Sequence, residues 1–324
     1  MLSIVIKCLN EEAHIGACLE SALAATRGID AEIVVADAYS SDRTIDIARQ
    51  FPVRIVRMAD PADRGRGATA QMGRQFARGQ FLLLVDGDME VLPDFLPAAL
   101  AAMDADPGLA GIGGRLIEIS GAMEFQERTR RDHRPAGDRT VRRLSGSALY
   151  RMSAILAAGH FMDRNLLCGE ELDLGQRLRA LGWRLKTIEL DAIRHHGHED
   201  AAVVLLSKRW RDRYFDGYGQ LLRRAWRQPY FWEPLRVCAL FLAVAGWWGA
   251  LAVAIGAAAL GWAAPAIPIA ILLLPVAAIA VKKRRLGLGF YTFLLWQVHA
   301  AAFLRGLARR RKSPAEPVLA VVIA

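Results

Sequence analysis

Phe81-Leu82-Leu83-Leu84-Val85-Asp86-Gly87-Asp88 decides the fold class of this sequence. Five apolar residues in succession suit a strand covered on both faces, and an acidic tripeptide ends the run at once. Three further apolar runs precede it, at residues 2–6, 32–36 and 53–56. Helix-like stretches of about 15–25 residues separate them, and that alternation predicts an α/β domain with a mostly parallel sheet and right-handed crossovers. Such sheets bind ligands beyond the carboxyl ends of their strands. Here those ends carry Asn10-Glu11-Glu12, Asp37 and Asp86-Gly87-Asp88.

Two nucleotide folds are excluded. The first strand is followed by no glycine-rich turn, as a dinucleotide site requires, and no glycine-lysine phosphate loop is present. Glu11 and Glu12 suit the positive end of the first helix but would repel a phosphate placed there. Phosphates at this acidic rim need a bridging cation, and a divalent metal, Mg²⁺ or Mn²⁺, is the simplest. Taken alone, Asp-Gly-Asp is a common surface turn. Its place at the ligand edge of a buried strand favours a metal site.

Further along, residues 93–103 and 172–181 have helical spacing, while 109–119 and 144–150 look like strands. The arginine-rich stretch 128–143 has no apolar period and reads as a loop. The four cysteines, at 8, 18, 168 and 238, lack metal-ligand spacing and read as reduced thiols.

On these motifs the chain resembles the inverting family 2 glycosyltransferases of GT-A fold, which include cellulose and hyaluronan synthases and dolichyl-phosphate sugar synthases. The resemblance covers residues 2 to about 210. Residues 3–21 look like the family's opening strand and helix, with Lys7-Cys8-Leu9 in place of the usual proline-threonine-tyrosine. Residues 37–44 resemble its base-binding turn, and 65–88 its spaced glycines leading to Asp-x-Asp, with Gln71 where asparagine is frequent.

The resemblance implies a nucleotide-sugar donor, UDP-linked, bound by Leu9, Asn10, Glu11, Asp37 and Asp86. Asp37 would recognise the base, Asp86 would face the ribose, and Asp88 would ligate the metal. Inverting transfer needs a carboxylate to take the acceptor hydroxyl's proton. In Gly169-Glu170-Glu171-Leu172-Asp173, Glu171 stands where the family has its catalytic aspartate. The extra methylene shifts the carboxylate by about 1.5 Å, so Asp173 is its rival. An acidic helix start is the plainer reading of the cluster. Of His195-His196-Gly197-His198, His195 is the expected further metal ligand. Leu206-Ser207-Lys208-Arg209-Trp210 partly matches the Gln-x-x-Arg-Trp of membrane polysaccharide synthases, so Arg209 and Trp210 would line the acceptor and diphosphate site. The same stretch also reads as a basic aromatic helix lying on a bilayer.

The net charge is +9, concentrated at residues 128–143, 208–227 and 282–311. Two of these clusters flank the long run 237–281, which has no charged side chain. They point to an anionic membrane face and not to nucleic acid. Each crossing takes about 20 apolar residues. Crossings are therefore expected at 237–261 and 263–281, with a weaker segment at 286–304 that need not cross. Lys282-Lys283-Arg284-Arg285 belongs on the inside by the positive-inside rule. Met1 to Ile6 is too short for a signal core. The expected organisation is a cytoplasmic GT-A domain over 1–230, a membrane region over 231–312 and a tail over 313–324, in a multi-pass protein of the inner membrane. Its acceptor would be a lipid-linked or polysaccharide species. Two rivals are a nucleotidyltransferase, which wants a basic glycine-rich loop after its first strand, and an inactive membrane scaffold.

Overall fold

The structure is a computed structural model that describes residues 1–119, 139–144, 147–197, 202–283 and 286–324. Most of the arginine-rich stretch, together with His198, Arg284 and Arg285, lies outside the described residues. The chain forms two compact units. The first comprises Met1–Lys208 and Arg311–Ala324, the second Arg209–Arg310.

The first unit follows the expected alternation. Strands β1 (Leu2–Cys8), β2 (Ala31–Asp37), β3 (Arg54–Met58) and β4 (Phe81–Asp86) are joined by helices α1 (Ile15–Ala25), α2 (Thr44–Ala48) and α3 (Arg66–Phe76). These four strands pair in parallel. Then follow β5 (Met89–Val91), α4 (Phe95–Ala105), β6 (Leu109–Glu118), β7 (Arg139–Thr140), β8 (Leu149–Arg151), α5 (Met152–Ala157), α6 (Glu170–Ala180) and β9 (Arg184–His195). Helix α7 (Ala202–Arg211) leads out of the unit, and β10 (Ala320–Val322) belongs to it. The described strands form one sheet in the order β10-β3-β2-β1-β4-β8-β6-β9-β5, with β7 on β9. Beyond β4 the sheet is mixed. Strand β8 runs antiparallel to β4 and β6, while β6 and β9 are parallel.

Alternate residues of each central strand point to opposite faces, so one strand feeds two cores. Ile4 and Ile6 pack with Ile15, Leu19 and Phe95 on one side. Val5 packs with Met72, Leu174 and Leu178 on the other. Each fully buried aliphatic side chain contributes about 1.5–3 kcal/mol, which is why an unbroken apolar run is stable here. Helix α3 lies so close to the sheet that a Cβ on Gly73 would stand 2.3 Å from Val5 Cγ1.

Residues 313–324, expected as a separate tail, are part of the first unit. Strand β10 pairs antiparallel with β3 and covers that edge of the sheet. Gln75 and Asn165 hold the approach to it. Gln75 exchanges two bonds with the Val318 backbone, at 2.7 and 2.9 Å. Asn165 does the same with Lys312, at 2.8 and 2.9 Å. Arg164 donates to the Glu316 and Pro317 carbonyls and pairs with Asp63 at 2.8 Å.

The second unit contains α8 (Asp216–Ala225), α9 (Trp232–Ala259), α10 (Ala266–Lys283) and α11 (Leu286–Ala308). Helix α8 meets α11 at two glycines. A Cβ on Gly219 would fall 2.0 Å from the Phe303 carbonyl oxygen, so no larger residue fits. Among the described residues α9 is the one helix long and apolar enough to cross a membrane. Its apolar window has a mean hydropathy of 2.1. Helix α10 spans 18 residues and carries Pro275 in its interior. Pro275 has no N–H to offer the carbonyl one turn back, that of Ile271. The Trp247 indole N–H donates to that oxygen instead, at 2.9 Å. The adjacent Trp248 donates to Gln297 Oε1 at 2.6 Å, joining α9 to α11.

Candidate active site

Parallel register brings the acidic strand ends together. Lys7 lies opposite Asp86, and Cys8 opposite Asp37. The Gly87 N–H donates to the Lys7 carbonyl at 2.9 Å, and a Cβ there would press on Cys8 and Glu11 at 3.0 Å. A side chain in the turn that presents Asp86 and Asp88 would therefore have to displace these neighbours. The loop after β1 is laced to the loop after β2. Ser40 Oγ accepts from the Asn10 N–H, Thr44 Oγ1 from the Glu11 N–H, and Asp42 from the Glu12 N–H. Asn10 has φ +57°, a left-handed conformation that asparagine tolerates. Leu9 is exposed beside it.

Asp88 and His195 come together across β5 and β9, whose register sets Met89 opposite His195. His195 Nε2 lies 3.2 Å from Asp88 Oδ2, and Nδ1 lies 2.9 Å from both Glu118 oxygens. Burial alone would lower the imidazole, but Asp88 and Glu118 outweigh it and raise the His195 pKa to about 9. Glu11 faces the same carboxylates. Burial first, then Asp88 and Asp86, raise its pKa to about 8. Asp86 is pulled the other way. Burial works to raise it, while Lys7 and Arg66 hold it below the usual carboxylate range. Lys7 Nζ and Arg66 Nη2 each stand 2.9 Å from Asp86. The same two cations reach Glu170 at 3.8 and 3.3 Å.

The donor set suits a divalent ion that phosphate oxygens help to hold. Asp88 Oδ1 is buried and has no hydrogen-bond partner among the described residues. Glu118 holds His195 from behind in the way that carboxylates orient metal-binding imidazoles. No three His, Cys, Asp or Glu side chains among the described residues converge tightly enough to enclose an ion by themselves. Ions of the Mg²⁺ type are commonly held by one or two carboxylates plus substrate phosphates.

The other expected residues divide clearly. Glu171 is half-buried at the start of α6, beside the fully buried Glu170. Asp173 is buried and paired with Arg177 at 2.7 Å. Arg177 also donates to the carbonyls of Ala158, His160 and Phe161, so the pair ties α6 to the preceding loop. Asp37 is fully buried. It accepts from Arg57 Nε at 2.6 Å and from the Ser40 N–H at 3.0 Å. Its outward neighbours are Arg57 and the exposed Tyr39. Arg209 and Trp210 belong to the second unit, where Arg209 lies over Tyr214 and Arg305 over Trp210.

The glycosyl transferase family 2 profile matches residues 3–157. The chain carries a family 2 glycosyltransferase domain. EpsH, a putative glycosyltransferase of Bacillus subtilis, is 26% identical over 167 residues, 48% of this chain and 48% of that protein. ExoA, a succinoglycan biosynthesis protein of Rhizobium meliloti, is 26% identical over 200 residues, 56% of this chain and 59% of that protein. The chain thus spans about half the length of these curated relatives. Among solved structures, the mannosyltransferase PcManGT from Pyrobaculum calidifontis, in complex with GDP-Man and Mn²⁺, superposes with a TM-score of 0.62 at 19% identity. That match covers 95% of this chain and 87% of the other. S. aureus TarS 1-349 in complex with UDP-GlcNAc gives a TM-score of 0.55 at 17% identity, covering 74% and 71%. At such identities the likeness is one of fold, and the fold is GT-A.

In this family 2 domain the sequence reading missed Lys7, Arg66 and Glu118. Two of them carried a signal. Lys7 is a charge inside an apolar strand, and Glu118 sits between Ile117 and Ile119. Such residues are almost never fully buried unless paired, and their partners lie far away in sequence. Gln71, in the frequent asparagine position, is buried and accepts from the Phe161 N–H at 2.9 Å.

Proposed function

We propose that the protein transfers a hexose, with inversion, from a nucleoside-diphosphate sugar to a membrane-associated acceptor of cell-surface polysaccharide or glycolipid assembly. The observation that carries this reading is the buried, unpartnered Asp88 oxygen beside a carboxylate-oriented histidine at the ligand edge of a GT-A sheet. When bound, Mg²⁺ or Mn²⁺ neutralises the charge that develops on the departing diphosphate. Asp88 and His195 would hold it, with Asp86 and the loop of Leu9, Asn10 and Glu11 along the donor. Asp37 fixes the turn that presents Arg57 and Tyr39 to the base.

Glu171 is the base in this scheme. The acceptor oxygen bonds to the anomeric carbon, and its proton passes to the Glu171 carboxylate. The bond from that carbon to the diphosphate oxygen breaks, and the nucleoside diphosphate leaves with the electron pair. Glu171 is half-buried and therefore reachable, whereas Asp173 is committed to Arg177.

Helix α9 supports a membrane anchor for a cytoplasmic catalytic domain at the inner membrane. A second crossing rests on the uncharged run alone. Arg209 and Trp210 are assigned to the acceptor by their motif. UDP is the expected donor nucleotide. The solved structures with GDP-Man and UDP-GlcNAc make both nucleotides part of the test.

Thermal shift of the full chain with UDP and GDP sugars, with and without Mn²⁺, reads this directly. A metal-dependent rise in melting temperature and slow donor hydrolysis are expected. Binding without hydrolysis or transfer in any donor would leave an inactive scaffold, and nucleoside triphosphate turnover would favour nucleotidyl transfer.

A further inference from the structure

The start of α8 holds an unusual balance of charge within the second unit. Asp216 is fully buried and takes Arg305 in a fork, Nε at 2.9 Å and Nη2 at 2.7 Å from Oδ1. The Arg305 guanidinium also lies over the Trp210 ring, 4.3 Å from its centroid. One carboxylate thus neutralises one guanidinium. The Asp216 N–H donates to the Arg213 carbonyl at 3.0 Å, and Arg309 follows Arg305 by four residues, so two more arginines flank the pair. Burial lowers the Arg309 pKa from its ordinary value, and repulsion from Arg213 and Arg305 adds to this against the pull of Asp216. Arg309 Nη1 is buried and has no hydrogen-bond partner among the described residues. Arg213 has φ +58°, a left-handed conformation that strains a residue with a side chain.

Three guanidiniums around one carboxylate repel one another, and a buried N–H without an acceptor is costly. An anion with several oxygens relieves both. Guanidiniums bind phosphate through paired N–H donors, which distinguishes phosphate from a simple halide. We propose that Arg213, Arg305 and Arg309 form a binding site for a phosphate group, carried by a lipid head group or free in solution. Phosphate capture here asks nothing of the carboxylates in the first unit, so it stands or falls separately from sugar transfer.

The test uses the full chain in neutral maltoside micelles, titrated by calorimetry with dihexanoyl phosphatidic acid and, separately, with inorganic phosphate. Arg309→Gln and Arg213→Gln should each weaken binding about tenfold or more, the scale of one charge-assisted hydrogen bond. Arg310→Gln removes the same charge from the exposed neighbouring position and should change affinity less than about twofold. Thermal melting checks the fold of each variant. Should Arg309→Gln not fold, the exposed Arg213 carries the comparison. Tighter binding of the lipid than of inorganic phosphate identifies a membrane source, and equal affinity identifies a soluble one. Either supports the site. Equal weakening by Arg310→Gln, or binding of neither probe to the unaltered chain, overturns it.

Discussion

Glu171 and Asp173 stand two residues apart on α6, and the fold gives them opposite surroundings. Glu171→Gln should spare donor binding and lower turnover at least about 10²-fold, the low end for loss of a general base. Asp173→Ala should act on the fold. It strands Arg177 in the core, at a cost of about 3 kcal/mol, read as a lower melting temperature. If Asp173→Ala leaves stability intact and abolishes turnover, the base has been misassigned. At Asp88, alanine should remove Mn²⁺-dependent binding of a nucleoside diphosphate in calorimetry and leave the melting temperature of the metal-free protein within a few degrees. Glu118→Gln should weaken that same Mn²⁺-dependent affinity about 10–100-fold, the usual effect of losing the group behind a ligand histidine. Unchanged affinity would make Glu118 a purely structural partner. Sequence reading reached Asp86 and Asp88 because the strand and its acidic end are contiguous. Glu118 and Lys7 escaped it, since their meaning comes from strand register. Nothing along the chain says that Glu118 will face His195.

Elements were legible wherever one apolar period ran unbroken. The first four strands and α6 fall within a few residues of their expected bounds because burial on both faces of the sheet dictates continuous runs. The uncharged run was harder to divide. An uncharged stretch tells how much chain avoids water, but not where a helix must stop. Helix α9 begins at Trp232, earlier than the apolar run, because aromatic and proline residues continue it into its first turn. In α10, Pro275 leaves Ile271 dependent on Trp247. Trp247→Phe should therefore cost about 1 kcal/mol in a detergent unfolding assay. Adding Pro275→Ala restores a backbone donor for Ile271, so most of that cost should vanish in the double variant. Full additivity of the two changes would show that the indole bond is not serving the broken turn.

At the scale of the molecule, the first unit is built from two stretches of chain with the second unit between them. No periodicity announces that residues 320–322 will join a strand at 54–58, because three residues are too few to carry a pattern. The expected domain ending at 230 therefore omitted a strand of its own sheet. A chain ending at Lys208 should melt measurably lower than one in which a flexible glycine-serine linker joins Lys208 to Arg311. The linked form should also bind nucleotide with Mn²⁺ without any membrane helix. Identical melting of the two would show that β10 adds nothing to the sheet.

The late arrival of β10 also orders the protein's birth. Chains leave the ribosome N-terminus first, at about 5–20 residues per second. Strand β3 thus emerges well before its outer partner, and for that interval it is an open edge able to pair with another chain. All the apolar helices of the second unit are made in between. A pause while they are being made would prolong the exposure of that edge, so a chain stalled among those helices should aggregate through β3.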